Sequence, residues 1–361
     1  MNKAEKKLFF SKKLLSWNKN FNSRLMPWKG EKDPYKIWLS EIILQQTRVE
    51  QGKEYYNHFI KKYPNIHLLA NAREEEVFKL WEGLGYYSRC KNLHSTAKLI
   101  SKEWEGKFPN KYQDILKLRG VGPYTAAAIA SFAFDLPHAV VDGNVSRILS
   151  RVFGIQTPID SPKGKKIIYD LADELLSKNH SSVYNQAIMD FGATVCKPQL
   201  PLCSQCPLKA VCSAFSANMV KILPKKEKVI VKKQRWFYYF IAENKGRVFI
   251  KKRLKKDIWQ NLHEFILIEK SKMFTPMQVI KSEGLKLIPE ERPVIIKISG
   301  LCKQQLTHQT INGYFIHIKV KNNAGLEDYQ AIDKADIQNL AFPKFITEYC
   351  LQNAPFNVPE A

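Results

Sequence analysis

Four of the seven cysteines in this 361-residue chain fall within seventeen residues, as Cys196-KPQLPL-Cys203-SQ-Cys206-PLKAV-Cys212, a C-x6-C-x2-C-x5-C array. Thiolates this dense bind zinc or an iron–sulfur cluster. Zinc ribbons usually pair two C-x2-C knuckles, whereas this array has one, at Cys203 and Cys206, with longer gaps on both sides. Four thiolates from one short segment can instead wrap a compact 4Fe-4S cube. Cys90, Cys302 and Cys350 are scattered, and the odd total argues against a disulfide framework. Lys197 and Lys209 sit inside the loops of the array, where exposed cations can meet phosphate.

Three further stretches carry reactive or backbone-specific residues. In ILKLRGVGPYTAAAIASFAF (115–134), Gly120-Val121-Gly122 forms a turn between two helices, and Pro123 and Tyr124 open the second. Such a turn either grips a phosphate through its backbone N–H groups or simply joins an αα-hairpin. Twenty residues on, in HAVVDGNVSRILSR, Asp142 precedes the apolar spacing Val145, Ile148, Leu149, Val152. It reads as a helix N-cap or as a catalytic carboxylate. Glu41 lies in the apolar run Ile37-Trp38-Leu39-Ser40-Glu41-Ile42-Ile43-Leu44, where desolvation would favour its neutral acid, although a lone glutamate on a helix ordinarily faces solvent.

The elements that must position these residues divide in two. Apolar residues recur at helical spacing through most of the first two hundred positions, as in AEKKLFFSKKLLSWNK, PYKIWLSEIILQQTRVEQGKEYYNHFIKKY and EEEVFKLWEGLG. The charged, proline-initiated stretch ILPKKEKVIVKKQR then reads as a connector. Beyond it, WFYYFIAE, RVFIKKR, FILIEK, PVIIKISG and GYFIHIKVK are strand-like runs punctuated by NKG, SG and NG turns, and AIDKADIQNLAFPKFITEYCLQ returns to helical spacing. The expectation is an all-α domain over 1–220, a connector over 221–233, and an α+β domain with an antiparallel component over 234–361.

The formal charge of +23 favours a polyanionic partner. Between residues 221 and 270 there are fifteen Lys or Arg against five Asp or Glu. The N-terminus MNKAEKKLFFSKKLL lacks the uninterrupted apolar run of a signal peptide, and no segment has the apolar length of a membrane span. The expectation is a cytoplasmic, nucleoid-associated protein of bacterial type with reduced thiols, with no membrane partner, and monomeric. His58, His67 and His94 show no metal-ligand spacing.

Taken together, the glycine hairpin, the aspartate about twenty residues later and the cysteine array resemble the endonuclease III, or helix–hairpin–helix, superfamily of DNA glycosylases over residues 1 to about 220. The resemblance implies a two-lobed helical domain with its active site between the lobes, a 4Fe-4S cluster on Cys196, Cys203, Cys206 and Cys212, and a nucleotide flipped out of duplex DNA. Bifunctional members carry a lysine nucleophile where this chain has Tyr124, so Schiff-base chemistry and efficient abasic-site lyase activity lose their agent. LSEIILQQTRVEQ (39–51), Arg24 with MPWK (26–29), WEGLGYYSRCKNL (81–93) and a second domain resemble the adenine-glycosylase, or MutY-type, branch. That branch implies removal of adenine opposite 8-oxoguanine or guanine. Glu41 would protonate the leaving base and later activate water, Asp142 would oppose the sugar cation, and Tyr124 and Asn144 would position them. Arg24, Trp28, Gln46, Tyr86, Tyr87 and the hairpin residues Gly120, Val121 and Gly122 would meet DNA or the lesion.

The C-terminal domain resembles the Nudix-like domain of the same branch through DIWQNLHEFILIE, with His263 where an aromatic is usual. It carries no Nudix box of the G-x5-E-x7-R-E-x-x-E-E form, so recognition rather than pyrophosphate hydrolysis is expected. Leu306-Thr307-His308 resembles the Phe-Ser-His loop that reads 8-oxoguanine, and Thr307 and His308 keep a hydroxyl and an imidazole there. The competing readings are a same-fold enzyme acting on oxidised pyrimidines or thymine mismatches, and a catalytically silent iron–sulfur DNA-binding sensor.

Overall fold

Asn2 and Glu5 close a capping box around the start of α1 (Lys3–Phe21), and Phe10, Leu14 and Trp17 give that helix its buried stripe. The computed structural model describes residues 2–227, 231–284, 294–321 and 325–353. Helix α2 (Pro34–Leu44) starts at an Asp33 cap with proline in its first turn, and it is buried on nearly every side. Helices α3 (Val49–Lys62), α4 (Ile66–Asn71), α5 (Glu74–Leu80), α6 (Tyr87–Glu103) and the short α7 (Tyr112–Leu116) follow. Then come α8 (Pro123–Phe134), α9 (Gly143–Phe153), α10 (Pro162–Leu175), α11 (Ser181–Thr194) and the single turn α12 (Ser213–Ser216).

The chain forms two compact units, one comprising residues 1–71 and 92–228 and the other 72–91 and 229–361. In the first, α2 packs beside α8, whose consecutive small residues Ala126, Ala127 and Ala128 are all buried and let the helices approach closely. Val145, Ile148, Leu149 and Val152 of α9 join Phe10, Leu14, Tyr184, Ile188 and Phe191 in the core of this unit, and Cys196, Cys206 and Cys212 pack at its border.

Among the described residues, the second unit is built on a mixed eight-stranded sheet. Its strands are β1 (Lys233–Asn244), β2 (Arg247–Lys252), β3 (His263–Glu264), β4 (Ile266–Lys270), β5 (Val294–Ile298), β6 (Cys302–Gln305), β7 (Gln309–Lys319) and β8 (Gln330–Asp333). β1 runs parallel to β7 from Lys233 to Glu243, and the other pairings are antiparallel. The NKG turn is a tight hairpin in which Lys245 and Gly246 both have positive φ. Helices α13 (Pro276–Val279) and α14 (Lys344–Gln352) complete the unit. Part of the connector and the start of PVIIKISG lie outside the described residues.

Two strand-level expectations need correction. Asn312-Gly313 is no turn but lies inside β7, because a Cβ on Gly313 would stand 2.3 Å from the Phe237 carbonyl oxygen of the neighbouring strand. Residues 331–333, read with the terminal helical run, instead end β8 against β2, while Lys334–Asn339 is a 3-10 helix and α14 begins at Lys344. β6, absent from the sequence reading, pairs with β7 and creates the hairpin that carries Thr307 and His308.

Candidate active site

Glu41 stands in the middle of α2, 5% exposed. Tyr124, in the first turn of α8, donates its hydroxyl proton to Glu41 Oε2 at 2.8 Å. Burial lifts the Glu41 carboxyl to about 7, the Tyr124 hydrogen bond pulls the other way, and the Asp142 carboxylate adds to the rise. Burial also pushes the Tyr124 phenol well above its ordinary range, so it remains a donor.

Asp142 is the N-cap of α9, as its sequence context suggested. Its Oδ1 accepts the Val145 N–H at 2.7 Å and its Oδ2 accepts the Asn144 amide at 2.7 Å. The cap therefore fixes the carboxylate in place. Burial raises its pKa, while these hydrogen bonds and the Arg147 charge oppose the rise. Both carboxyl groups line a cavity of about 360 Å³ together with Tyr124, Asn144, Arg24 and Trp28. They also line an adjoining groove of about 1170 Å³ that runs past Gln46, Gly120, Gly122 and Lys165.

The hairpin turn is shaped by one glycine more than the other. Gly120 has φ +81°, and a Cβ there would lie 2.8 Å from the Asn92 Cβ of α6. Gly122 is extended, caps α8 without a side-chain bond and has open space around it. Val121 turns inward and is buried. Gln46 is exposed just beyond α2 with φ +57°. Its neighbour Gln45 is tied to Thr125 at 3.2 Å.

Arg24 and Trp28 reach the cavity from the non-helical stretch between α1 and α2. Trp28 is buried edge-on against Tyr56. Arg24 bonds Asp190 of α11 at 2.9 Å, a residue the sequence reading passed over. It shared only the apolar surroundings of Glu41: a carboxylate amid Ala187, Ile188, Met189 and Phe191 on a helix.

Arg147 and Arg151 were also missed, and both are buried. Arg147 donates to Asn144 Oδ1 at 2.7 Å, to the Gly192 carbonyl at 2.8 Å and to the Cys196 carbonyl at 2.7 Å. Arg151 donates to the carbonyls of Lys197, Pro198 and Leu223, with the Cys196 sulfur 3.5 Å away. The four clustered cysteines are free thiols and half-buried. Burial pushes Cys206 up to about 12, and Cys196, Cys212 and Cys203 add to the rise. Among the described residues, no group of three or more His, Cys, Asp or Glu side chains is arranged to hold a metal ion.

In the second unit Tyr86 and Tyr87 separate. Tyr87 is buried, stacks on Phe78 and accepts the Gly83 N–H, which makes it a core residue. Tyr86 is 39% exposed, has φ +48°, and its hydroxyl meets that of Thr307. Thr307 and His308 form the exposed tip of the β6–β7 hairpin, closed by Leu306 N–H to the Gln309 carbonyl at 2.8 Å. His263 lies 5.8 Å from Phe342, ring to ring, so the imidazole takes an aromatic's contact.

Comparison with known proteins bears on both units. Residues 39–174 match a family described as "HhH-GPD superfamily base excision DNA repair protein", and residues 238–352 match "NUDIX domain". An adenine DNA glycosylase of Buchnera aphidicola subsp. Baizongia pistaciae is 36% identical over 309 residues, 84% of this chain and 84% of that protein. One of Buchnera aphidicola subsp. Schizaphis graminum is 38% identical over 258 residues, 71% of this chain and 74% of that protein. A thermostable thymine-DNA glycosylase structure superposes with a TM-score of 0.55 at 30% identity, over 59% of this chain and 98% of that one. Endonuclease III in a non-covalent DNA complex gives 0.53 at 20% identity, over 61% and 99%, a likeness of fold. Among the described residues no helix is long and apolar enough to cross a membrane.

Proposed function

The chain belongs to the adenine DNA glycosylases, and from that premise we propose that it excises adenine mispaired with 8-oxoguanine or guanine from duplex DNA and leaves the abasic strand intact. Membership makes it a base-excision-repair hydrolase of N-glycosyl bonds. The observation that carries the finer reading is the buried Glu41, with its carboxyl near 7, bonded by Tyr124 on the wall of a cavity of base-accommodating size.

Adenine leaves poorly as an anion, so Glu41 delivers a proton to the base, at N7, as the glycosidic bond breaks. Positive charge then builds on the sugar, and Asp142, held by Val145 and Asn144, faces it as electrostatic partner or transient nucleophile. Glu41, now ionised, takes the proton of the attacking water. Tyr124 fixes the carboxyl it bonds and offers no amine for strand cleavage. The groove beside the cavity, with the open N-terminus of α8 and the hairpin turn, suits a DNA backbone.

Cys196, Cys203, Cys206 and Cys212 would hold a 4Fe-4S cluster, which would brace their segment. The donor set fits: four half-buried thiols within electrostatic reach of one another, on a segment that Arg147 and Arg151 hold by its carbonyls. In a cube each iron takes its own thiolate, so the ligands surround the cluster instead of converging on one ion. Thr307 and His308, beside Tyr86, would read the lesion, and Gln46 would enter the base stack.

The test is base release from duplexes carrying adenine opposite 8-oxoguanine, guanine or thymine, and thymine opposite guanine, with strand breaks scored before and after alkali. Adenine release opposite 8-oxoguanine and guanine, with breaks only after alkali, is expected. Thymine release without adenine release, or strand cleavage keeping pace with base loss, would overturn the reading.

A further inference from the structure

In the helical unit Asp190 is a fully enclosed carboxylate, and three of its four side-chain partners line the cavity. It is 0% exposed. Its Oδ1 accepts from Arg24 Nη1 at 2.9 Å and Gln186 Nε2 at 3.1 Å, its Oδ2 accepts from Asn22 Nδ2 at 2.9 Å, and Lys29 Nζ stands 3.0 Å from Oδ2 as an ion pair. Three hydrogen bonds and an ion pair thus surround the two oxygens. Arg24, Lys29 and Gln186 all line the cavity that holds Glu41.

The stretch 22–33 that supplies this wall is neither helix nor strand, and two backbone turn bonds, Lys29 to Met26 and Glu31 to Trp28, are its internal main-chain ties. Its position therefore depends on side chains. Asp190 takes three of them from one point on α11, and Lys29 closes the loop further by donating to the Arg24 carbonyl at 2.8 Å. A buried carboxylate facing two cations also fixes the field of the wall, because removing the negative charge leaves both cations uncompensated.

We infer that Asp190 is a positioning residue for the excision reaction: it binds Arg24 and Lys29 into one wall and neutralises part of their charge, so that Glu41 can keep its proton and the cavity can accept a base that becomes cationic. The inference rests on the proposed role of Glu41. The other titratable or charged groups around the cavity are Tyr124 of α8, Asp142 at the cap of α9, and Glu31 of the same stretch, which pairs with Lys36. None of these replaces Asp190, since it alone bonds both Arg24 and Lys29.

The experiment is the pH profile of single-turnover adenine release by the intact protein and by Asp190→Asn and Asp190→Asn/Lys29→Met, with thermal unfolding in parallel. Asn preserves shape but not charge. Uncompensated cations favour the ionised Glu41, so in Asp190→Asn the alkaline limb should move down by about one pH unit and the rate at pH 8 fall about tenfold. Removing one cation in the double variant should return the limb toward wild type. A purely structural role would scale the rate at every pH with the folded fraction. Limbs that superimpose on wild type in both variants would overturn the inference alone, and a wild-type protein that releases no adenine would overturn it together with the reading of Glu41.

Discussion

Glu41 is placed where its chemistry and the stability of the fold conflict. Its carboxyl is raised to about 7 in the folded chain against an ordinary value of 4.5. Below the lower value both states are protonated and nothing is lost. Between about 4.5 and 7 the unfolded carboxyl ionises while the folded one keeps its proton, so stability on the order of 3 kcal/mol relative to acid is lost across that window, and above 7 the loss levels off as the folded carboxyl ionises too. Glu41→Gln should therefore unfold at higher urea than wild type at pH 8 but not at pH 4.5, while adenine release falls by about a thousandfold. Near-normal release would refute the acid assignment, and equal urea midpoints at pH 8 would refute the burial argument. Asp142→Asn separates two roles in a similar way, since asparagine caps a helix about as well as aspartate. Release should collapse with the melting temperature little changed, whereas a less stable but active variant would reduce Asp142 to its cap. Glu41 was legible because its apolar run matched a family resemblance in LSEIILQQTRVEQ, whereas Asp190 carried only the apolar surroundings. What the sequence withheld at Asp190 was its partners, which lie in a distant stretch with no periodicity of its own.

Helix α9 shows how one element joins two sites. Its cap is Asp142, and one turn on, Arg147 bonds Asn144 on one side and the carbonyl of Cys196 on the other. Replacing Arg147 with alanine would strand the carbonyls of Gly192 and Cys196 and free Asn144, at a cost of roughly 1–3 kcal/mol for each buried group left unpaired. Iron content per chain and the single-turnover rate should both fall in Arg147→Ala. Full iron loading with unaltered catalysis would show that the arginine links nothing. The helix itself was readable from its apolar spacing after Asp142, and the structure ends it at Gly154, with φ +70°. The arginines went unremarked because spacing reports a side chain's face, not whether its fork finds carbonyls. Strands suffered more from the same limit. Residues 330–333 become β8 only because Ile332 and its neighbours find β2 far away in sequence, and Gly313 is demanded by a carbonyl on β1 rather than by a turn.

At the scale of the whole molecule, the change of texture near residue 220 marked where the helical elements give way to strands, yet residues 72–91 cluster with the C-terminal unit. Within that unit Lys79 donates to the Leu340 carbonyl at 3.1 Å, and Glu82 accepts the Phe342 N–H at 2.8 Å. These bonds span about 260 residues, and no local pattern announces them. They matter for testing lesion recognition, because Tyr86 belongs to the segment so held and meets Thr307. Guanine and 8-oxoguanine differ by an oxygen at C8 and a proton at N7, so a hydroxyl and an imidazole that bond those groups can separate them where stacking cannot. Thr307→Ala/His308→Ala should therefore shrink the preference for adenine opposite 8-oxoguanine over adenine opposite guanine, with cleavage of the guanine mismatch persisting. A chain ended after Glu227 removes those side chains and also the partners of Lys79 and Glu82, so it should lose the preference and bind DNA less tightly as well. An unchanged ratio in the double variant would take the hairpin tip out of lesion reading, even if the shortened chain proved defective.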